Sequence, residues 1–276
     1  MPRSSKCFST RTATCWTFLA LAVLLSLTTA CDDASLDVNE DELPEEATRF
    51  TSEAKPIGNG TAQLFVDMAD DDTPKAIGIR LTADAFSGLP SPEEAPTGSG
   101  HTLSFPDAAP VPPYDHFDVH YMPAGHHPEV YETPHFDLHA YIITREERDA
   151  MTPDTAPIME REPDAQYLPN DYAYLDDSAI PHMGGHWVDT TSPEFNSDSF
   201  THTYIYGFND AEMAFVEPMI TYDFLQNLDE PVRIETKLPP KVQHTGYYPG
   251  AYEIKVDADT GDRIITMENL VYMEAE

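Results

Sequence analysis

Two near-identical pentapeptides, His116-Phe117-Asp118-Val119-His120 and His135-Phe136-Asp137-Leu138-His139, stand nineteen residues apart and impose a period of two on the middle of the chain. On an extended strand, imidazole and carboxylate then line one face while Phe and Val or Leu line the other. A helix of 3.6 residues per turn would mix the two sets. The pattern asks for a sheet with one packed apolar face and one polar face, the second copy contributing His135, Asp137, His139 and Tyr141 to the latter. A strand rises about 3.3 Å per residue, so His135 and His139 lie about 13 Å apart and do not chelate one ion by themselves. An antiparallel pairing of 115–122 with 135–143 is expected. One register sets His120 opposite His135, Asp118 opposite Asp137 and His116 opposite His139. Directly opposed carboxylates would call for a cation or a protonated His. A slip of two residues would keep the same face and change the partners.

Further strands are expected at 62–68 and 76–81, around a turn at 70–74, and at 201–208, 213–222, 231–238, 250–257 and 263–272. A short helix is expected to begin near 82–86. Thr144 followed by Glu147 reads as a capping box opening a helix at 145–151, with Pro153 as its stop. Residues 257–262 carry alternating oxygen ligands but lack the full calcium-loop spacing, so they read as a hairpin turn. With 25 prolines and few helical stretches, the chain is expected to be mainly β. It reads as a single β-rich domain at 61–276, a sandwich or a curved antiparallel sheet with one or two short helices and a Pro/Gly-rich loop at 91–113 in which only His101 to Phe105 resembles a strand.

Residues 1–30 read as a signal peptide, with Arg3, Lys6 and Arg11, no acid, and an apolar run from Cys15 to Leu27 too short for a comfortable membrane span. The end of that run, Leu27-Thr28-Thr29-Ala30-Cys31, resembles a bacterial lipobox, which implies lipidation of Cys31 and a membrane-anchored lipoprotein of the cell envelope. Thr28 stands where that motif favours Leu, so cleavage after Ala30 to give a secreted soluble protein is the alternative. Residues 32–60 are acidic and poor in aromatics, and are expected to form a disordered tether. Cys7 and Cys15 would leave with the signal, so the mature chain has one Cys and no internal disulfide. It would carry 12 basic residues against 49 acidic. Such a balance excludes nucleic acid as a partner and disfavours anionic lipid against the folded domain, leaving the anchor as the expected membrane contact.

Nine of the eleven histidines lie between 116 and 202, and imidazole is the commonest metal ligand. Candidate ligands are His135, His139, His186 and His202, with Asp137, Glu217 and His126 binding directly or supporting those that do. Imidazole with carboxylate suits zinc, copper, iron or manganese. The competing reading makes these histidines hydrogen-bonded framework residues, above all His202 and His186, each beside an aromatic. No Gly-x-Ser-x-Gly elbow, His-Glu-x-x-His helix, phosphate-binding Gly-Lys loop or dinucleotide Gly fingerprint occurs.

The motifs Pro134-His135-Phe136-Asp137-Leu138-His139, Met183-Gly184-Gly185-His186-Trp187-Val188-Asp189 and Thr201-His202-Thr203-Tyr204-Ile205-Tyr206-Gly207, with Phe215-Val216-Glu217-Pro218-Met219, resemble an uncharacterised bacterial domain-of-unknown-function family of secreted proteins and lipoproteins. The resemblance runs from about Thr61 to the C-terminus and implies a shared β-rich fold without an established activity. His127 and Ala140 depart from its pattern, and it points to the second pentapeptide more than the first. Three readings stand: an envelope protein binding a divalent metal, a structural or homo-oligomeric module without metal, and a metal-dependent enzyme.

Overall fold

The computed structural model describes residues 47–196 and 198–276. The expected signal peptide, Cys31 and the tether up to residue 46 lie outside the described residues. The order opens with β1 (Ala47–Thr51), β2 (Lys55–Ile57), β3 (Gly60–Ala69) and β4 (Pro74–Leu81), then β5 (Ser99–Ser104), β6 (His116–Met122) and β7 (His135–Tyr141). Helices α1 (Arg145–Asp149) and α2 (Ala156–Met159) precede β8 (Tyr172–Tyr174), β9 (Gly185–Asp189), β10 (His202–Asn209) and β11 (Glu212–Thr221). Helix α3 (Tyr222–Gln226), β12 (Val232–Glu235), β13 (Gly246–Val256) and β14 (Arg263–Met273) complete it.

The strands form two antiparallel seven-stranded sheets. The first runs β1-β3-β4-β14-β13-β12 with β2 also on β3, and the second runs β5-β6-β7-β11-β10-β9-β8. One apolar cluster draws on both: Leu64, Val66, Ile79, Ile254 and Ile265 from the first, Phe117, Val119, Phe136, Leu138, Tyr206 and Val216 from the second. The mainly β expectation holds, and the sheets face each other as a sandwich.

The tether expectation fails for residues 47–60. β1 and β2 both pair with β3, and Arg49 grips Asp67 through two hydrogen bonds of 2.7 and 2.9 Å while lying 3.9 Å over the Phe65 ring. The acidic average of the segment hid an edge strand whose arginine and Phe50 find partners on β3. The turn at 257–262 is a hairpin turn between β13 and β14, where Arg80 bonds Asp262 at 2.6 Å and Asp257 at 3.0 Å and so fills the place of a cation. The capping box forms as expected: Glu147 N–H donates to Thr144 Oγ1 at 3.3 Å, and Thr144 N–H donates to Glu147 Oε2 at 2.8 Å.

An antiparallel sheet commonly leaves one face to water. The second sheet does not, and all seven residues of β7 are buried. Its outer face carries a separate cluster in which Tyr131 and Phe200 cover Tyr141, Val188, Ile205, Phe215 and Met219. Helix α1 closes one side, sending Arg148 to Asp118 at 2.7 Å. Tyr141 fastens the segment before β9 by donating to the His182 carbonyl at 3.0 Å.

Candidate metal centre

Strand alternation decides what reaches this covered face. Phe117, Val119, Phe136 and Leu138 point into the sandwich core, which turns His116, Asp118, His120, His135, Asp137 and His139 outward beneath the cover. The observed pairing sets Asp118 opposite His139, His120 opposite Asp137 and His116 opposite Tyr141. This corrects the expected register by two residues. The face is kept, and each carboxylate now meets an imidazole across the strands in place of another carboxylate. On the other side of β7, Phe215 and Met219 of β11 pair with Tyr141 and Asp137, so Glu217, midway between them, falls beside His139. β9 adds His186, whose strand partner on β10 is Gly207. A Cβ at Gly207 would lie 2.0 Å from the Phe215 ring. The missing side chain therefore leaves room for the Phe215 ring, which meets the His139 and His186 rings in T-shaped contacts at 4.7 and 5.3 Å between centroids.

Six of the side chains converge as two triads, each of two imidazoles and one carboxylate, and each triad's candidate ligand atoms lie within 4.8 Å of one another. In the first, His135 Nε2 is 3.0 Å from Asp137 Oδ1, and His126 Nε2 is 3.9 Å from Asp137 Oδ2. In the second, His139 Nε2 is 3.3 Å from Glu217 Oε1, and His186 Nε2 is 4.0 Å from Glu217 Oε2. Donors held about 2.0–2.2 Å from one ion at angles of 90–120° stand about 2.8–3.8 Å apart. Two of the spacings fall in that range, and the other two need only slight closure.

Tautomers point the same way. Nδ1 of His126, His135 and His186 lies 3.0, 2.7 and 2.8 Å from the carbonyl oxygens of His127, Thr133 and Ser178. A carbonyl only accepts, so Nδ1 carries the hydrogen, and in the neutral ring Nε2 presents a lone pair toward the carboxylate. This is how a ligating imidazole is commonly held. Among the described residues, His135 Nε2, both oxygens of Asp137, both nitrogens of His139 and Glu217 Oε2 are buried without a hydrogen-bond partner. Each such atom costs about 1–3 kcal/mol.

The two buried carboxyls are shifted in opposite directions. Burial pushes the Asp137 carboxyl up, but His135, His126 and His139 outweigh it and hold it below the usual carboxylate range. Burial, then the charge of Asp137, drives the Glu217 carboxyl well above that range. Burial also keeps His139 far below the ordinary imidazole value and brings His186 down to about 4, so both rings are neutral at pH 7.

Of the residues singled out in the sequence, His126, His135 and Asp137 come together, as do His139, His186 and Glu217. His135 and His139 fall in different triads, in keeping with their distance along the strand. His202 is a correction. On β10 it shares the core-facing side with Tyr204 and Tyr206, its Nδ1 is 2.9 Å from Tyr252 Oη, and its ring packs on Phe224. Both faces of β10 are apolar or aromatic, so no polar alternation marked which way His202 points. His116 is framework: it stacks on Tyr141 at 4.7 Å and lies 2.9 Å from Asp115 and 3.3 Å from Arg148. The motifs name Phe215 and Gly207 without disclosing that the two pack on each other beside His139, and for the Ser178 carbonyl no local signal exists. Comparison of the chain with protein-family models, with curated proteins and with solved structures gives no match.

Proposed function

We propose that this protein is a cell-envelope lipoprotein whose β-sandwich binds a divalent first-row metal ion on the covered face of its second sheet. The observation that carries the metal reading is the set of buried, unpartnered imidazole and carboxylate atoms aimed at one another. Protons alone fit them poorly: His135 Nε2 and Asp137 Oδ1 are close enough for a hydrogen bond but are not aligned for one. A divalent ion in either triad would accept the lone pairs that face it and offset the cost of burying that triad's carboxylate. Two imidazoles with a carboxylate suit zinc, iron, manganese or copper.

The envelope part rests on the signal-like residues 1–30 and on Cys31. Cys31→Ser is expected to release the mature chain from the membrane fraction. A second reading, a metal-dependent enzyme, is favoured by one feature: each triad supplies three ligands and so leaves coordination positions open, as in hydrolytic zinc and oxygen-using iron sites. The deciding test is elemental analysis of the mature protein purified without a histidine tag. Near-stoichiometric zinc, iron, manganese or copper, reduced in His135→Ala and His186→Ala, supports the proposal. A folded protein that takes up none of the four overturns it, and a chelator-indifferent homo-oligomer would then turn the histidines into framework.

A further inference from the structure

The two triads share no residue and differ in how they are built. His139 lies on β7, Glu217 on β11 and His186 on β9, and their side chains are 1, 2 and 8% exposed. The other triad takes His135 and Asp137 from β7 but its third member, His126, from the connection between β6 and β7, where the side chain is 28% exposed. Gly125 turns that connection with φ +67°, and a Cβ there would meet the Tyr131 carbonyl oxygen at 2.1 Å. Asp137 and His139 alternate on one strand, so the triads stand side by side, about 6–7 Å from one to the next along β7. One ion cannot bind both at ordinary bond lengths of about 2.0–2.2 Å.

We infer that the centre holds two ions of unequal exchange: an outer, exchangeable ion at His126, His135 and Asp137, and an inner, retained ion at His139, His186 and Glu217. The inference rests on the metal-binding reading above and adds the number of ions and their order of release. The outer ion has one ligand that leaves without any strand being opened. Removing the inner ion requires three strand-borne ligands to part beneath the Phe215 and Tyr141 rings, which pack on His139. Local opening at a turn costs less than opening between paired strands. The outer ion is also the one whose open positions can take a ligand from solution.

The test uses the mature protein loaded with zinc, freed of excess, and mixed with a chromogenic chelator. Two zinc per chain released in two phases of equal amplitude, the faster by roughly tenfold or more, is the expected result. His126→Ala is expected to retain one zinc per chain and lose the fast phase, and His126→Asn, which keeps a polar turn residue, should behave alike. His127→Ala, on the exposed neighbouring ring, should leave both phases intact. A single zinc per chain, release in one phase, or a His126→Ala protein that still holds two overturns the inference while leaving metal binding standing. A wild-type protein without zinc, iron, manganese or copper would instead fail the metal-binding reading itself.

Discussion

Glu217→Gln separates a metal ligand from a merely structural acid, because the two roles predict opposite signs in the metal-free protein. Glu217 is buried, its Oε2 has no hydrogen-bond partner among the described residues, and burial together with Asp137 opposes its ionisation. Gln keeps the volume and removes the charge, so the metal-free variant should be as stable as the parent or more so. With zinc the order reverses. An ion at 100 times its Kd stabilises the fold by about 2.7 kcal/mol, and at about 2–4 °C per kcal/mol for a domain of this size that raises Tm by about 5–11 °C. A weakening of 10- to 100-fold, the range found for lesser damage to metal sites, leaves about 0.4–1.4 kcal/mol at the same zinc. Scanning calorimetry with and without zinc should therefore show a rise smaller by about 3–9 °C in the variant. An equal rise in both proteins would refute Glu217 as a ligand, and a metal-free variant several kilocalories less stable would make it structural.

Three other expectations are open to test. Gly207→Ala puts a methyl into the Phe215 ring, which should cost about 1–3 kcal/mol by overpacking and reduce the zinc-dependent rise in Tm, since Phe215 spaces His139 and His186; a variant with parental melting and zinc response would speak against that spacing. Arg148→Met leaves Asp118 buried without its 2.7 Å partner, an expected loss of about 1.5–3 kcal/mol in urea denaturation, and an unchanged midpoint would show that α1 does not hold the face closed. Burial lowers the His202 value below 6.5, so the unfolded chain binds the extra proton first as pH falls. Its contribution is full above pH 6.5 and is lost as pH drops from there toward the folded value. His202→Gln should flatten the fall in Tm between pH 7.5 and 5.5, and a slope equal to the parent's would refute this assignment.

What the residues disclosed depended on how far each signal reaches along the chain. The pentapeptides announced both the strands and the face, because alternation is local and period two leaves no other placement for Phe136 and Leu138. They did not announce the register, which is set by cross-strand pairing, and the expected Asp118–Asp137 opposition gave way to Asp118 beside His139. The membership of the triads was half legible. His126 and His135 are close in sequence, but His186 and Glu217 meet only because β9, β10 and β11 are neighbours in the sheet. His202 was misjudged because a histidine between aromatics carries no directional mark. The strands β8 and β9 were not expected either. β8 has three residues, and β9 follows Gly184 and Gly185, which read as site material because of their freedom to approach other backbone.

The covered face also weighs against a purely architectural role. A sheet buried on both sides is most cheaply filled with apolar residues, and replacing buried ionic groups by well-packed hydrophobic ones is often neutral or stabilising. This fold follows that rule on its inner face, where Phe117, Val119, Phe136, Leu138 and Val216 interlock with the other sheet. On the outer face of the same strands it places three carboxylates and several imidazoles, leaves eight of their side-chain atoms without hydrogen bonds among the described residues, and covers part of that face with Tyr131, Phe200 and Phe215. Framework histidines look different here. His202 and His116 each have a partner within 3 Å, whereas both nitrogens of His139 have none among the described residues. Among the described residues, buried nitrogens without a partner also occur at His120, His135 and His244, but His139 has both, and its Nε2 faces Glu217. The cation proposed at His139, His186 and Glu217 would take up the Nε2 of that ring and the Glu217 carboxylate, which fold stability alone gives no reason to bury unpaired.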